Sequence, residues 1–334
     1  MCNILGFGEI MLRLAPVERT TIETSNICSM YYGGAELNVV SSLSLFGNNT
    51  KFLTTLADNN IGKGALRNLK SFDIDTKLIG FKEGRMGLYF LEEGHGVRKS
   101  KVIYDRKDSA FSKLESKELN FDKILENIDI IHITGITPAL SKELREATLD
   151  LVKEAKKRNI LVSYDSNYRS KLWNYEECGA FLEEVLNYVD IAFLGILDCI
   201  NLLNMNLNGE DHEEMLKDGY LKLTDRYRNL KYLASTKRDV LSSANNNLRG
   251  YIFKDGVLEK SKKYNFDILD RVGGGDAFVA GTLNEILKNR DLKEIIEFGT
   301  CASVVKHSHK GDINLAREEE IYDLIENGVQ SISR

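Results

Sequence analysis

The sequence predicts an α/β fold, a mostly parallel sheet with helices on both faces. Short apolar runs alternate with segments of helical periodicity, the pattern of parallel strands joined by crossover helices. Two stretches of alternating β pattern interrupt that rhythm without ending it. Near the C-terminal end a run of glycines opens a helical segment.

Ile4 to Phe7 reads as a buried strand ending at Gly8-Glu9. Gly33 to Phe46 reads as a turn and then a helix, with Leu37, Val40, Leu43 and Leu45 apolar. Lys51 to Leu56 is a second strand, and Ile61 to Leu69 a helix. Residues 10–32 and 84–108 carry the alternating patterns, for example Met86 to Leu91 and Val102 to Tyr104. Ile128 to Thr134 resumes the rhythm as a strand. An amphipathic helix over Lys142 to Arg158 follows, then a strand over Ile160 to Tyr164, a helix over Cys178 to Val189 and a strand over Ile191 to Leu194. Tyr232 to Ser235 is a strand ahead of a hairpin-rich patch at Asp239 to Lys254. The last helices cover Asp276 to Asn289, Leu292 to His307 and Glu318 to Asn327. The prolines are Pro16 and Pro138 alone, and no linker, repeat or low-complexity run occurs. One continuous domain over 1–334, with inserts at 10–32 and 84–108, is the simplest reading.

Composition narrows the function. With 43% hydrophobic and 28% charged residues the chain can bury a large core. A net charge of -5 argues against a nucleic-acid or polybasic membrane partner. The five cysteines are scattered, without metal-type spacing, and read as free thiols in a reducing compartment. His307 and His309 form a pair, but no neighbouring ligand completes a metal site. The N-terminus enters a strand pattern without a signal peptide, and no apolar run approaches the ~20 residues that span a bilayer. A cytoplasmic enzyme is expected.

The chemistry concentrates at Asp270-Arg271-Val272-Gly273-Gly274-Gly275-Asp276. Bare glycine N–H groups and the start of a helix together make an anion site, and phosphate is its usual guest. A carboxylate at its rim would repel that phosphate, so Asp276 makes more sense as a base acting on the attacking hydroxyl. The plainer alternative is a flexible turn with Asp276 as helix cap. The run is not a Walker A loop, because no Gly-Lys-Ser/Thr follows. It is not a dinucleotide fingerprint, because Phe278 stands where a third glycine is needed.

These residues resemble the C-terminal signature of the ribokinase-like, phosphofructokinase-B type carbohydrate kinases, Asp-Thr-x-Gly-Ala-Gly-Asp. Arg271 replaces the threonine and Gly274 the alanine. Gly33-Gly34-Ala35-Glu36-Leu37-Asn38 is similar to the family's Gly-Gly-x-x-x-Asn sugar turn. The resemblance implies a three-layer α/β/α core with a small β-sheet lid from residues 10–32 and 84–108, where ordinary edge hairpins are the alternative. It further implies ATP and Mg2+, with K+ as a possible addition, and a homo-oligomer paired through the lid. Asp276 would be the catalytic base, with Gly273, Gly274 and Gly275 as the anion hole.

In the family an Asn-x-x-Glu motif is associated with the metal. Here Gly195-Ile196-Leu197-Asp198 stands in that place, which leaves Asp198 either in the metal network or as a helix cap. Thr236 and Arg238 stand where the family contacts the nucleotide, or else in a solvated turn.

The stretches Gly8 to Leu14, Asp165 to Trp173 and Lys306 to Asp312 are similar to the 2-keto-3-deoxygluconate kinase branch. By that resemblance Gly33, Gly34, Asn38, Tyr89, Tyr104, Arg106, Arg169 and Asp312 would hold a sugar acid. Arg106 and Arg169 would lie near its carboxylate, since arginine pairs with carboxylates through two hydrogen bonds. The alternatives are a fructokinase- or ribokinase-type enzyme for a neutral sugar, a nucleoside kinase, and a binding protein of the same fold without turnover.

Overall fold

The computed structural model describes residues 1–328; residues 329–334 lie outside the described residues. In chain order its elements begin with β1 (Asn3–Phe7), β2 (Met11–Pro16), β3 (Cys28–Gly33), α1 (Ala35–Leu45), β4 (Asn49–Ala57), α2 (Asn60–Ser71), β5 (Ile79–Lys82), β6 (Gly87–Glu92) and β7 (Lys101–Asp105). There follow α3 (Phe121–Ile124), β8 (Ile130–Thr134), α4 (Lys142–Lys157), β9 (Leu161–Asp165), α5 (Tyr175–Val185), β10 (Ile191–Phe193), α6 (Ile196–Asn201) and α7 (His212–Arg226). The chain then forms β11 (Tyr232–Val240), β12 (Asn245–Lys254), β13 (Val257–Lys260), β14 (Tyr264–Asp267), α8 (Gly274–Leu287), α9 (Leu292–Lys306) and α10 (Glu318–Asn327).

The main sheet has the order β13-β12-β11-β10-β9-β8-β1-β4-β5, with β14 also on β12. Pairings from β11 through β5 are parallel, and the β11–β14 end is antiparallel. Both faces are covered, which is why the parallel strands read as unbroken apolar runs. Successive residues of a strand point to opposite faces. Leu5 and Ile131 pack with α4, α5 and α7, while Ile4 and Ile130 pack with α1, α8, α9 and α10. The three-layer expectation holds.

The two interrupting stretches supply a separate four-stranded sheet, β3-β2-β6-β7. Strand β2 pairs antiparallel with β3 and parallel with β6. The structure differs from the sequence reading at several elements. The stretch Ser235 to Asp239 lies inside β11, so it is strand and not turn. Helix α8 begins two residues ahead of Asp276. The edge strand β5 and helix α7 were not foreseen: β5 is short, and the helix lies between two segments that drew attention for other reasons.

Candidate active site

Two cavities meet at the carboxyl ends of the parallel strands, where open α/β sheets bind ligands. The larger, about 1560 Å³, is lined by Gly34, Asn38, Tyr89, Tyr104, Arg106, Asp165, Arg169, Gly273 to Asp276 and Asp312. The other, about 830 Å³, is lined by Asp165, Gly195 to Asp198, Thr236, Arg238 and Gly275. The structure thus brings the sequence-selected residues, Gly33 excepted, to the lining of these two cavities. Gly275 borders both cavities, and a side chain there would meet open space.

Gly273 caps α8 with φ of 82°, a conformation that favours glycine. A Cβ on it would lie 1.8 Å from the Asp312 carbonyl oxygen, and one on Gly274 would lie 2.3 Å from the His307 ring. The glycine run is therefore wedged on one side and open to ligand on the other. Because Gly273 is the cap, Asp276 sits in the first turn, and its Oδ2 accepts a hydrogen bond from Asn38 Nδ2 at 2.7 Å.

Burial pushes the Asp276 carboxyl up to about 7, against the pull of Asn38 and Arg169 and with the help of Asp312. The Asp165 carboxyl is pushed up to about 8 by burial first, then by the charge of Asp276, with Arg169 opposing. A carboxylate that ionises near neutrality is suited to accept a proton. Asp165 was quoted in the sequence only as part of a stretch. Its position at the end of a parallel strand was the available signal.

The residues expected on the sugar side fall into two groups. Some are engaged within the protein. Asp312 is buried, accepting from Arg13 Nη1 at 3.0 Å through one oxygen and from the Tyr89 hydroxyl through the other. Arg106 donates from Nε to Glu9 Oε2 at 2.9 Å, and from Nη2 to the same oxygen. The Oδ1 of Asn38 accepts from Gly34 N–H at 3.4 Å. A Cβ on Gly33 would strike the Asp312 carboxylate at 2.3 Å.

Others face the cleft more openly. Tyr104 is 40% exposed, its ring 6.0 Å from that of Tyr89. Arg169 is exposed, bonding only backbone oxygens of Asn167 and Tyr168 at 3.3 and 3.1 Å. Among the described residues it has no carboxylate within ion-pair distance, unlike Arg106.

Arg13 was missed as a site residue. Its fully buried guanidinium meets Asp270 at 2.8 Å, Asp312 at 3.0 Å and Glu93 at 3.4 Å. Thr236 and Arg238, expected at the nucleotide, line the smaller cavity. Burial lowers the Arg238 guanidinium to about 10, and the neighbouring charge of Arg271 adds to this. Arg271, read from sequence only as a departure from a motif, lines the larger cavity. Asp198 Oδ2 accepts the Gly195 N–H at 2.7 Å and so closes the start of α6. No group of three metal-ligating side chains forms among the described residues.

The sequence profile of the pfkB family carbohydrate kinases matches residues 1–319. The chain belongs to this family. As a pfkB kinase it is similar to a "2-dehydro-3-deoxygalactonokinase" of Haloferax volcanii, 27% identical and covering 99% of each chain. Among solved structures it is similar to the 2-dehydro-3-deoxygluconokinase of Thermotoga maritima, with TM-score 0.93 and 35% identity over 97% of this chain and 99% of that one. A putative 2-keto-3-deoxygluconate kinase of Enterococcus faecalis superposes with TM-score 0.95 at 30% identity, over 100% and 99%. This pfkB kinase is thus a phosphotransferase with an alcohol group as acceptor, in the ribokinase-like fold. No described helix is long and apolar enough to cross a membrane.

Proposed function

We propose that the chain transfers the γ-phosphoryl group of ATP to the terminal, 6-hydroxyl of 2-keto-3-deoxygluconate. The observation that carries this reading is Asp276 in the first turn of α8, beside glycines that open where the two cavities meet. A sugar in the larger cavity and a nucleotide in the smaller would put hydroxyl and phosphate on either side of Gly275. Names carried by the relatives support the substrate class.

Asp276 takes the proton of the attacking hydroxyl, and Asn38 holds the carboxylate toward it. The N–H groups of Gly273, Gly274 and Gly275 receive charge from the transferring phosphoryl, since this chemistry rests on positioning and electrostatics. Arg169, without an ion-pair partner among the described residues, reads the sugar carboxylate. Arg106 lies on the same wall, held by Glu9, with Tyr89, Tyr104, Gly33 and Gly34 shaping the pocket and Asp312 bracing it from behind. Thr236 and Arg238 face the nucleotide phosphates, with Arg271 nearby.

ATP fits the open side of the glycine run. Mg2+ fits as an ion brought by the phosphates, because the described residues form no group of three metal-ligating side chains and Asp198 is engaged with backbone. The ion would supply charge neutralisation at the phosphates, and Asp165 is a carboxylate that lines both cavities. The small sheet acts as a lid that excludes water. Ile27, Met30 and Ile103 on its strands and approaches are 65%, 59% and 52% exposed, which suits pairing of two lids in a cytoplasmic dimer.

The test is ADP release with Mg-ATP across 2-keto-3-deoxygluconate, 2-keto-3-deoxygalactonate, gluconate, fructose, ribose and adenosine. Preference for the keto-deoxy acids is expected. Preference for a neutral sugar would overturn the sugar-acid reading while sparing Asp276, and binding without turnover would overturn catalysis altogether.

A further inference from the structure

One fully buried cation beside the glycine run lines neither cavity. Lys306 is the last residue of α9 and is fully buried. Its Nζ donates to the carbonyl oxygens of Asp270 at 3.4 Å and His309 at 3.3 Å. A Cβ on Gly273 would lie 3.3 Å from its Cε, so the side chain passes directly beneath the loop that opens α8. Burying an ammonium is costly unless charge and hydrogen bonds compensate. Here the charges of Asp270 and Asp312 oppose the lowering that burial imposes, and the C-terminal end of a helix also favours a cation.

The loop it supports is the one that must present its N–H groups to phosphate. The two carboxylate oxygens of Asp270 are taken by Val272 N–H at 3.1 Å, Gly311 N–H at 3.0 Å and Arg13. The Asp270 N–H and Leu269 N–H both reach the His307 carbonyl oxygen, at 3.3 and 2.8 Å. What remains is the Asp270 carbonyl oxygen, pointing into the interior, and Lys306 supplies its partner. A positive charge among backbone carbonyl oxygens is the environment that otherwise holds a bare monovalent ion.

We propose that Lys306 is a tethered monovalent cation: it fixes the Asp270 to Gly275 loop for phosphoryl transfer and takes the place of a free K+ or NH4+. It is a positioning residue, acting through the loop. The inference rests on the kinase reading above only for its assay, and the acceptor used is whichever panel sugar the wild-type enzyme phosphorylates. Failure of the sugar-acid assignment therefore leaves the test intact.

Turnover is measured in buffers whose monovalent cation is K+, Na+ or tetramethylammonium. Wild-type kcat is expected to be the same in all three. Several-fold activation by K+ would overturn the proposal, whatever the variants do. Lys306→Ala is expected to lower kcat on the order of tenfold or more, below the ~100-fold cost of losing a direct oxyanion donor. Its KM for the sugar should stay within about twofold, the split expected of a group acting only on the transition state. Added NH4+ or methylamine should restore much of the lost kcat. Retained wild-type kcat, or a folded but inactive Lys306→Ala enzyme that no cation rescues, would show that the side chain only packs. If Lys306→Ala does not fold, Lys306→Arg and the wild-type cation series decide: the charge-preserving variant must keep turnover that is indifferent to K+.

Discussion

At the scale of single residues, the site is defined by acids held partly away from water. Asp276→Asn is expected to lower kcat by ~100-fold or more, the low end for a general base, with circular dichroism confirming the fold. Because the Asp276 carboxyl titrates near 7, kcat/KM should fall as pH drops through that value, and the profile should be lost in the asparagine variant. The same acids affect stability with the opposite sign. Asp165 and Asp276 bind protons more tightly folded than unfolded, so they favour the fold below the unfolded carboxylate pKa, and that contribution is lost as pH rises through about 7 to 8. The ligand-free melting temperature should therefore rise on acidification from pH 8 to pH 6, and Asp165→Asn should flatten that slope. Arg169→Lys should raise KM for the sugar acid and leave KM for ATP unchanged, since a lysine cannot reproduce a paired hydrogen bond.

At the scale of elements, a buried charge network ties the small sheet to the glycine loop that opens α8. Arg13 on β2 reaches Asp270 ahead of α8 and Asp312 beyond α9, while Tyr89 on β6 reaches the same Asp312. Removing one member of a buried ion pair costs about 3–5 kcal/mol. Arg13→Ala should lose stability of that order in equilibrium urea unfolding. Gly273→Ala combines an unfavourable φ with a clash against backbone, so it should cost activity even where the protein still folds. Most elements were legible beforehand, because periodicity marks a helix or a buried strand wherever it lies. The strand assignment of Ser235 to Asp239 was not. Its polar sequence, with Lys237 and Arg238, reads as a turn, and only pairing with β12 from Leu233 to Val240 makes it strand. Tertiary pairing overrode local propensity there.

At the scale of the whole molecule, two cavities share Asp165 and Gly275, so the proposed sugar and nucleotide should bind interdependently. Mg-ATP analogue and sugar acid added together should raise the melting temperature by more than the sum of their separate effects, as expected when one ligand orders the site of the other. A merely additive shift would count against closure of the small sheet over the cleft.

The sequence by itself determined the α/β class, the segments that make the second sheet, and the pairing of a glycine run with Asp276. These follow from local signals: apolar spacing, alternation, and residues that only particular turns tolerate. What tertiary structure alone decided was which charges are free. From sequence Arg106 and Arg169 were equivalent candidates for a substrate carboxylate, and Arg13 and Lys306 stood only as members of longer stretches with no role of their own. The fold gives Arg106 to Glu9, Arg13 to Asp270 and Asp312, and Lys306 to two backbone carbonyls, and leaves Arg169 facing the cleft. For the two paired arginines, availability depends on partners brought from 97 to 299 positions away along the chain, which no local pattern records.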